Sequence, residues 1–513
     1  MLRTDLIASI PELLRWHAAA RGGKCAYRDA QTSVTYAELL ERTGKLAGHL
    51  ADNGIAANDT VAIMLPNSVQ WVESCLAIAR ARAISVPISY DSTETEIGYR
   101  LADANCKAVF TTAERGDLFG RLKASAPNLK TLIVTDRGAC SAPVLRYSDL
   151  LIAPPQSAPR DPASLHETSF ILYTSGTTGR AKGVQLTMHG MLWVTAACWA
   201  PITGLSDRDT VLSPLPLFHS YALNLSVLSI LATGASEYIM EKFSTSEAVR
   251  LLKTGEFTYF PGVPTMFHYL LQTTRGKQSV AFPNVRLCVS AGAIMPATLN
   301  REFEDHLGIR LLDGYGITET STMVTMNWPT GGRILGSCGI PLPGLAVRIV
   351  DANRRDVEPN QEGELIVHGP NVMPGYHNKP EETRNALRDG WYHTGDLAKR
   401  DDTGFVTITG RLKELIIRGG QNIAPAEIEE VVNLCGGTRL RRGRDGAPAP
   451  RRGAGAFCGA APGHRIRQRG LASLLPDTFV GVQGAAQRSI NFRDPSHRVE
   501  QDHTLQASRI DKG

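Results

Sequence analysis

The chain has 513 residues, of which 42% are hydrophobic, 20% charged and 6% aromatic, as in ordinary globular enzymes with sizeable cores. Its formal net charge of +5 is unevenly placed, because residues 436–513 hold 13 Arg and one Lys against six Asp and Glu, whereas residues 1–435 hold 41 basic and 44 acidic residues. No run approaches about 18 consecutive apolar residues, so the sequence argues against a transmembrane segment.

The amino end and the cysteines indicate in which cellular compartment the protein is expected. Asp5 and Glu12 interrupt the apolar residues of the amino end, so this stretch lacks the apolar region of a secretory signal. The nine cysteines show no Cys-x-x-Cys spacing, so we expect neither structural zinc nor a disulfide framework. A reducing compartment fits this pattern, and we expect a cytoplasmic location.

The first 170 residues alternate between helical and extended patterns. Thr35 and Glu38 have the spacing of a helix capping box, and Gly54 is a suitable stop for the same helix. One face of this helix would be formed by Leu39, Thr43, Leu46 and Leu50. The stretches "VAIML", "SVQWVESCLAIARARA" and "ISVPI" follow as strand, helix and strand, and the same order recurs in "RLCVSAG", "ATLNREFEDHLG" and "RLLDGYG". This repetition predicts mostly parallel sheets covered by helices.

The segment "ILYTSGTTGRAKGV", residues 171–184, follows a strand pattern and is rich in glycine and hydroxyl groups. Backbone N–H groups and hydroxyls can donate to phosphate oxygens, glycines permit close approach, and Lys182 offsets negative charge. Ala181 precedes Lys182 and Gly183 follows it, so the segment is not a Walker-type loop, and it lacks the dinucleotide pattern Gly-x-Gly-x-x-Gly. We interpret it as a polyphosphate-binding loop; the alternative is a flexible surface turn.

From about Gly336 the pattern changes to short strands with Gly and Pro turns, in "LAVRIVDANRRDV", "GELIVHGP" and "FVTITGRLKELIIRGG". This pattern predicts a small antiparallel or barrel-like subdomain. We therefore expect an α/β fold whose N-terminal domain, residues 1–410, combines two helix-covered, mostly parallel sheets with the barrel-like subdomain. Residues 411–434 would form a hinge and the start of a C-terminal domain.

Residues 435–513 form an atypical basic tail. The 35 residues from Gly436 contain nine Gly and nine Arg and almost no apolar periodicity. A truncated or disordered C-terminal domain is one interpretation. Translation out of the original frame in GC-rich DNA is another, and it is favoured because "PAEIEEVV" begins an amphipathic element that is then cut short.

Five motifs occur in order along the chain: "YTSGTTGRAKGV", "DGYGITET", "GELIVHGP", "WYHTGDLAKRD" and "GRLKELIIRGGQNIAPAEIE". Together, over roughly residues 8–434, they resemble the adenylate-forming (AMP-binding) superfamily. The Lys-Glu-Leu-Ile pattern and "PLFHSYALN" are more similar to its acyl-CoA synthetases, which are acid–thiol ligases, than to its amino-acid adenylation domains. The resemblance implies that ATP and Mg²⁺ are used to convert a carboxylic acid into an acyl-adenylate, whose acyl group then passes to CoA. Phe218, Tyr221 and "FPGVPTMF" supply apolar walls and suggest a fatty or other apolar acid.

The resemblance also implies the residues that bind the phosphates and the metal. In "DGYGITET", Tyr315 would pack on adenine, Thr318 would bind the α-phosphate, and Glu319 would hold Mg²⁺, because a carboxylate suits this hard ion. Taken alone, Glu319 would be interpreted as a solvated surface acid. The same motif would contribute Asp313, Gly314 and Gly316 to the binding of the nucleotide. The β- and γ-phosphates would be held by Thr174, Ser175, Gly176, Thr177, Thr178, Gly179 and Lys182.

Further implied residues lie at the ribose, the acyl group and the hinge. Asp396 would accept both ribose hydroxyls, and Arg411 would reinforce the ribose or phosphate side; outside the motif, either would be interpreted as a surface charge. His219 would gate the acyl pocket, although a lone histidine there is usually a packed or capping residue. The adenine and acyl pocket would be lined by Gly292, Ala293 and Ile294. The catalytic set would comprise Thr174, Lys182, His219, Glu319 and the hinge residue Lys413.

The sequence departs from the family after the hinge. The family's Pro-x-x-x-x-Gly-Lys motif is not found, and Lys512 is followed rather than preceded by glycine. We therefore expect ATP and acyl-adenylate binding to be retained better than turnover, with the thioester step most impaired. The alternatives are an acyl-AMP ligase serving an acyl carrier protein and a catalytically weak nucleotide- or acyl-binding protein. No nucleic acid partner is expected, because the basic tail has few aromatic residues for base stacking.

Overall fold

The structure is a computed structural model that describes residues 2–162, 164–174, 180–275 and 281–412, together with the backbone of 416–418 and 421–423. The chain divides into two units, Met1–Lys413 and Glu414–Gly513. The predictions for the C-terminal domain and tail therefore lie outside the described residues, apart from one short hairpin. So do those for Ser175, Gly176, Thr177, Thr178, Gly179 and Lys413.

The strands are, in chain order, β1 (Cys25–Arg28), β2 (Ser33–Thr35), β3 (Thr60–Ile63), β4 (Ile84–Pro87), β5 (Ala108–Thr111), β6 (Thr131–Val134), β7 (Leu145–Arg146), β8 (Thr168–Thr174), β9 (Lys182–Thr187), β10 (Thr210–Ser213), β11 (Ser236–Ile239), β12 (Tyr259–Gly262), β13 (Leu287–Ser290), β14 (Arg310–Tyr315), β15 (Thr325–Met326), β16 (Ile340–Pro341), β17 (Ala346–Val350), β18 (Gly363–His368), β19 (Gly375–Tyr376), β20 (Leu387–Arg388), β21 (Trp391–Arg400), β22 (Val406–Arg411), β23 (Ile416–Arg418) and β24 (Gln421–Ile423).

The α-helices are α1 (Ile10–Arg21), α2 (Tyr36–Asp52), α3 (Val69–Arg80), α4 (Glu94–Asp103), α5 (Ala113–Arg121), α6 (Tyr147–Ile152), α7 (Met188–Val194), α8 (Ser220–Ala222), α9 (Ile230–Thr233), α10 (Thr245–Leu252), α11 (Pro264–Thr274), α12 (Ala297–Leu307) and α13 (Pro380–Ala386). Short 3-10 helices span Thr4–Leu6, Leu122–Ala124 and Thr318–Thr320, and π-helical segments span Thr195–Trp199 and Leu223–Ser229. No helix in the described ranges is both long and apolar enough to cross a membrane.

The first unit contains two large sheets. Within the described residues, one has nine strands in the order β16-β15-β14-β13-β12-β10-β11-β1-β2, and its central strands pair in parallel. The other has eight strands in the order β19-β9-β8-β4-β3-β5-β6-β7 and is parallel from β8 to β7. Strands such as β3, β5 and β13 are buried along their whole length, as expected for strands covered on both faces. The predicted pair of mostly parallel sheets is confirmed.

The third sheet accounts for the change of pattern near Gly336. Its described strands run β17-β18-β21-β20, and β22 pairs with β21, all antiparallel. Its inner face packs around a small apolar cluster that includes Val347, Leu365 and Val406. The predicted small antiparallel subdomain is confirmed. In the second unit, β23 and β24 form an antiparallel hairpin.

The predicted start of helix α2 is confirmed by its capping residues. The Thr35 side chain accepts a hydrogen bond from the Glu38 backbone N–H, and the Glu38 carboxylate accepts one from the Thr35 backbone at 2.8 Å. Gly54 follows the helix at φ 80°, in the left-handed region. The two π-helical segments were not predicted, because one extra residue per turn leaves no clear periodicity in the sequence.

Helices α2, α3 and α6 meet around a buried acid. Glu73 is fully buried, pairs with Arg42 at 2.7 Å and accepts a hydrogen bond from the Tyr147 hydroxyl. Burial raises the pKa of Glu73 from 4.5 to about 7. The folded chain therefore binds more protons than the unfolded chain between these two pH values, and its stability falls as pH rises through that window.

We expect Glu73→Gln to remove this pH dependence. The stability of the wild-type chain relative to the variant should fall as pH rises from about 4.5 to 7, by roughly 1 kcal/mol per pH unit. Urea unfolding of both proteins at several pH values measures this difference. A difference that stays constant across the window would show that Glu73 does not titrate there.

Candidate functional site

The hairpin of β8 and β9 carries the ends of the predicted phosphate loop. Thr174 and Lys182 are direct partners in its antiparallel register, so both flank the intervening segment. The outgoing end is anchored by Tyr99, whose hydroxyl donates to the Ala181 carbonyl at 2.9 Å. The Arg180 guanidinium lies over the same ring, 5.7 Å from its centroid. Helix α4 thus holds this end of the loop through a residue that no motif indicated.

Lys182 and Glu319 are linked by Tyr376. Strand β19 pairs antiparallel with β9, with Tyr376 opposite Val184, so the tyrosine lies beside Lys182. The Lys182 Nζ lies 5.0 Å from the centroid of the Tyr376 ring. The Tyr376 hydroxyl donates to Glu319 Oε1 at 3.0 Å. The structure therefore brings two predicted site residues, far apart in sequence, onto one tyrosine.

Glu319 lies in the 3-10 helix that follows β14. Burial raises the pKa of its carboxyl above the ordinary value, although the Tyr376 hydroxyl opposes this shift by hydrogen bonding. The neighbouring Thr318 Oγ1 lies 3.2 Å from the Oγ of Ser220. Ser220 directly follows His219 in the chain. The phosphate side and the acyl side of the predicted site therefore meet at Thr318 and Ser220.

The donor set around Glu319 fits a magnesium ion that arrives with a nucleotide. Among the described residues, no group of three or more His, Cys, Asp or Glu side chains could hold a metal ion. Mg²⁺ needs no such cage, because it keeps several waters and is usually held by one or two carboxylates and the phosphates of the substrate. A single carboxylate beside a hydroxyl, as at Glu319 and Thr318, is consistent with that arrangement.

The turn after Glu319 has an unusual backbone. Ser321 and Thr322 have φ values of 52° and 108°, which non-glycine residues rarely adopt. The buried Asn371 side chain holds the turn by donating to the carbonyls of Thr320 and Met323, both at 2.8 Å. These bonds fix a strained segment directly beside the predicted metal ligand.

A side chain at Gly316 would break this turn, because an added Cβ would lie 1.5 Å from the Thr322 carbonyl oxygen. We expect Gly316→Ala to displace the backbone and lower ATP affinity by roughly 10- to 10²-fold, since losing one hydrogen bond to a charged group costs about 1.5–3 kcal/mol. Isothermal titration with ATP measures the loss. Gly120→Ala, with no atom within 4 Å of the added Cβ, is the control expected to bind normally. Normal affinity in Gly316→Ala would contradict the placement of ATP against this turn.

The predicted ribose ligands also lie together. Asp396 and Arg411 are register partners on β21 and β22, and Arg411 Nε lies 2.9 Å from Asp396 Oδ1. The Tyr315 hydroxyl donates to Asp396 Oδ2 at 2.5 Å. Both oxygens of Asp396 thus lie against protein donors, Oδ1 against Arg411 and Oδ2 against Tyr315. Sequence reasoning gave Tyr315 a role through its ring alone and missed this use of its hydroxyl.

Asp313 is placed differently from Glu319, the other acid of the motif. Its side chain is buried, and burial raises the pKa of its carboxyl well above the usual range. Its backbone carbonyl accepts hydrogen bonds from the backbone and side chain of Asn327, both at 3.0 Å. Gly314 lies beside it, where an added Cβ would meet the Met323 Cε at 2.5 Å. Asp313 and Gly314 are thus packed within β14, and their contact with the nucleotide stays a prediction.

The predicted acyl side lies between β10, α8 and β13. His219 precedes α8, its ring 4.8 Å from that of Phe218, and desolvation lowers its pKa, so the imidazole is neutral near pH 7. The Tyr221 hydroxyl donates to the Val289 carbonyl at 3.2 Å, and its ring stacks on Trp199 at 6.0 Å. The predicted pocket-lining residues after β13 are exposed: Gly292 (φ 86°), Ala293 and Ile294.

A separate cleft of about 500 Å³ lies at the ends of β3, β6 and β11. Two of its polar side chains are used within the protein: Asp29 accepts a hydrogen bond from the Val69 backbone N–H at 2.9 Å, and Asn67 bonds to the backbone of Leu215 and Leu217. None of the predicted site residues lines this cleft. We therefore do not place the functional site there.

Comparison with known proteins agrees with this assembly of motifs. Residues 14–377 match the model of a family described as AMP-binding enzyme. The chain belongs to this family. This chain is 32% identical over 472 residues to a feruloyl-CoA synthase of an Amycolatopsis species, with 91% of this chain and 92% of that protein covered. It is 32% identical over 459 residues to a long-chain-fatty-acid–CoA ligase of Bacillus subtilis, covering 83% and 80% of the two chains.

A solved structure of similar fold is the ATP-bound MatB from Rhodopseudomonas palustris. The TM-score is 0.75 at 30% sequence identity, and 83% of each chain is covered. The fold of this AMP-binding enzyme is therefore the expected one, with two helix-covered sheets and an antiparallel subdomain. The individual site residues remain predictions, now supported by the distances between them.

Proposed function

We propose that this AMP-binding enzyme is an acid–thiol ligase that activates a fatty or other apolar carboxylic acid with ATP. The observation that carries the proposal is the continuous row from Lys182 through Tyr376 to Glu319, with Thr318 joining it to Ser220 beside His219. A cation, a carboxylate and a hydroxyl would thus face the predicted acyl pocket. This arrangement suits an acid that must meet a triphosphate.

In the proposed first step, a carboxylate oxygen of the acid attacks the α-phosphorus of ATP. A new oxygen–phosphorus bond forms, the bond to the β-phosphate oxygen breaks, and acyl-adenylate and pyrophosphate result. Lys182 would stabilise the negative charge on the departing pyrophosphate, and Thr318 would donate to the α-phosphate. Bound Mg²⁺ would neutralise phosphate charge, and Glu319 would orient it. Asp396 would hold the ribose.

The acyl side suggests the substrate class. Phe218 and Tyr221 would supply aromatic walls, and His219, neutral near pH 7, would add no positive charge to attract a second carboxylate. The relatives named above, a feruloyl-CoA synthase and a long-chain-fatty-acid–CoA ligase, support an acid with an apolar body. We expect ferulate-like and fatty acids to be used and short dicarboxylic acids to be rejected.

The proposed second step transfers the acyl group to the thiol of CoA. The thiolate attacks the acyl carbonyl, the bond to the adenylate oxygen breaks, and AMP leaves. The names of the relatives support CoA as the acceptor. A carrier-protein thiol would react in the same way, and a slow second step stays a prediction. The cysteine pattern supports a cytoplasmic location for these reactions.

Pyrophosphate release with and without CoA tests the proposal. The purified chain is supplied with ATP, Mg²⁺ and either ferulate, a fatty acid or a short dicarboxylic acid. Release that requires an apolar acid, with acyl-CoA formed when CoA is added, supports an acid–thiol ligase. Release without acyl-CoA, but with transfer to an added carrier protein, supports the acyl-AMP ligase. ATP binding without release contradicts both enzymes.

A further inference from the structure

Tyr376 contacts two groups of the proposed ATP site and belongs to none of the motifs that predicted that site. Its hydroxyl donates to Glu319 Oε1 at 3.0 Å, and its ring centroid lies 5.0 Å from Lys182 Nζ. Both contacts use the same side chain but different parts of it. The hydroxyl can be removed without the ring, so the two contacts can be tested separately.

The position of Tyr376 is fixed by its own strand. Strand β19 pairs with β9 in the register Gly375↔Gln185 and Tyr376↔Val184. The Tyr376 backbone N–H donates to Thr383 Oγ1 at 2.9 Å, which ties the strand to helix α13. The backbone of Tyr376 is thus held by contacts that involve neither Glu319 nor the Lys182 side chain. A side chain on such a fixed backbone can orient its neighbours.

We propose that Tyr376 is a positioning residue for ATP binding, whose hydroxyl orients the Glu319 carboxylate toward Mg²⁺ and whose ring places the Lys182 ammonium toward the phosphates. This inference rests on the proposed function. A hydrogen bond to one carboxylate oxygen limits rotation of the group and leaves defined lone pairs for the metal. A ring near an ammonium group attracts it without supplying a counter-charge, so Lys182 keeps its full positive charge for the phosphates.

The two contacts predict two separable defects. Tyr376→Phe keeps the ring and loses the hydroxyl, so it should raise the Mg²⁺ concentration needed for half-maximal ATP binding by roughly tenfold, as partners of metal ligands do. In EDTA, ATP should bind this variant as it binds the wild type. Tyr376→Leu loses both contacts, so it should also weaken ATP binding in EDTA, by roughly threefold.

Isothermal titration of the full-length chain with ATP, at a series of Mg²⁺ concentrations and in EDTA, measures both effects. Tyr147→Phe is the matched control, because its hydroxyl also donates to a buried glutamate, Glu73, in the cluster of helices α2, α3 and α6, which contains none of the predicted site residues. This control should lower the unfolding temperature and leave the Mg²⁺ requirement unchanged. Thermal unfolding of all the variants separates a structural defect from a positioning defect.

The outcomes distinguish this inference from the proposed function. A wild-type chain that does not bind ATP overturns the proposed function and the inference with it. A wild-type chain that binds ATP, with Tyr376→Phe unchanged at every Mg²⁺ concentration, overturns the inference alone. An equal loss in Mg²⁺ and in EDTA for Tyr376→Phe also overturns it, because the hydroxyl would then act without the metal.

Discussion

We expect Glu319→Gln to reduce acid-dependent pyrophosphate release by about 10²- to 10³-fold, the usual effect of removing one electrostatic contact from an organised site. Glutamine keeps the shape of the side chain, and its amide oxygen can still accept the hydrogen bond from Tyr376. The change therefore removes the charge and little else. Since burial already disfavours the charged carboxyl at this position, the variant should be at least as stable as the wild type.

Release measured at saturating ATP over a range of Mg²⁺ concentrations checks this prediction. Glu167→Gln is a suitable control, because Glu167 is also partly buried and pairs at 2.7 Å with Arg82, which is not a predicted site residue. It should release pyrophosphate at the wild-type rate. A wild-type rate for Glu319→Gln would show that this carboxylate does not serve the metal or the phosphates.

The second large effect concerns the ribose end. We expect Asp396→Asn to raise the dissociation constant for ATP by about 10²-fold, because charge-assisted hydrogen bonds from the ribose hydroxyls would be lost. The amide also places an N–H₂ group against either Tyr315 or Arg411, whose donors each face one oxygen of Asp396. The site would thus lose both its charge and its ordered arrangement.

Titration with ATP and with a triphosphate that lacks the ribose separates the two contributions. The ribose-free ligand should bind wild type and variant alike, whereas ATP should distinguish them. Asp389→Asn, which removes an exposed partner of Arg354, is the control and should have no measurable effect on binding. Equal affinity of Asp396→Asn and wild type for ATP would remove Asp396 from the ribose site.

The sequence was most informative where the signal is local. The capping residues Thr35 and Glu38 predicted the start of α2, and continuous apolar runs predicted the buried parallel strands. Ordered motifs also predicted that Glu319 and Asp396 belong to one site, because each motif carries its chemistry within a few residues. The contacts of Asp396 with Tyr315 and of Glu319 with Tyr376 required the fold.

The residues that sequence reasoning missed act over long separations. Tyr376 reaches Lys182 only because β19 pairs with β9. Asn371 reaches the turn after Glu319 over a similarly long separation in the sequence. A single tyrosine or asparagine in a Gly- and Pro-rich stretch has no pattern that marks it. Asn224 was missed for the same reason: it accepts from the Trp199 indole N–H at 2.6 Å within a π-helical segment that no periodicity predicted.

The central claim, that this chain forms acyl-adenylates, is tested most directly by exchange of labelled pyrophosphate into ATP. The assay needs only the first step and its reversal, so it does not depend on CoA or on the identity of the acceptor. We predict exchange that requires both Mg²⁺ and an apolar carboxylic acid and falls by about 10²-fold or more in Lys182→Ala. ATP binding without exchange in the presence of any apolar acid would contradict the account.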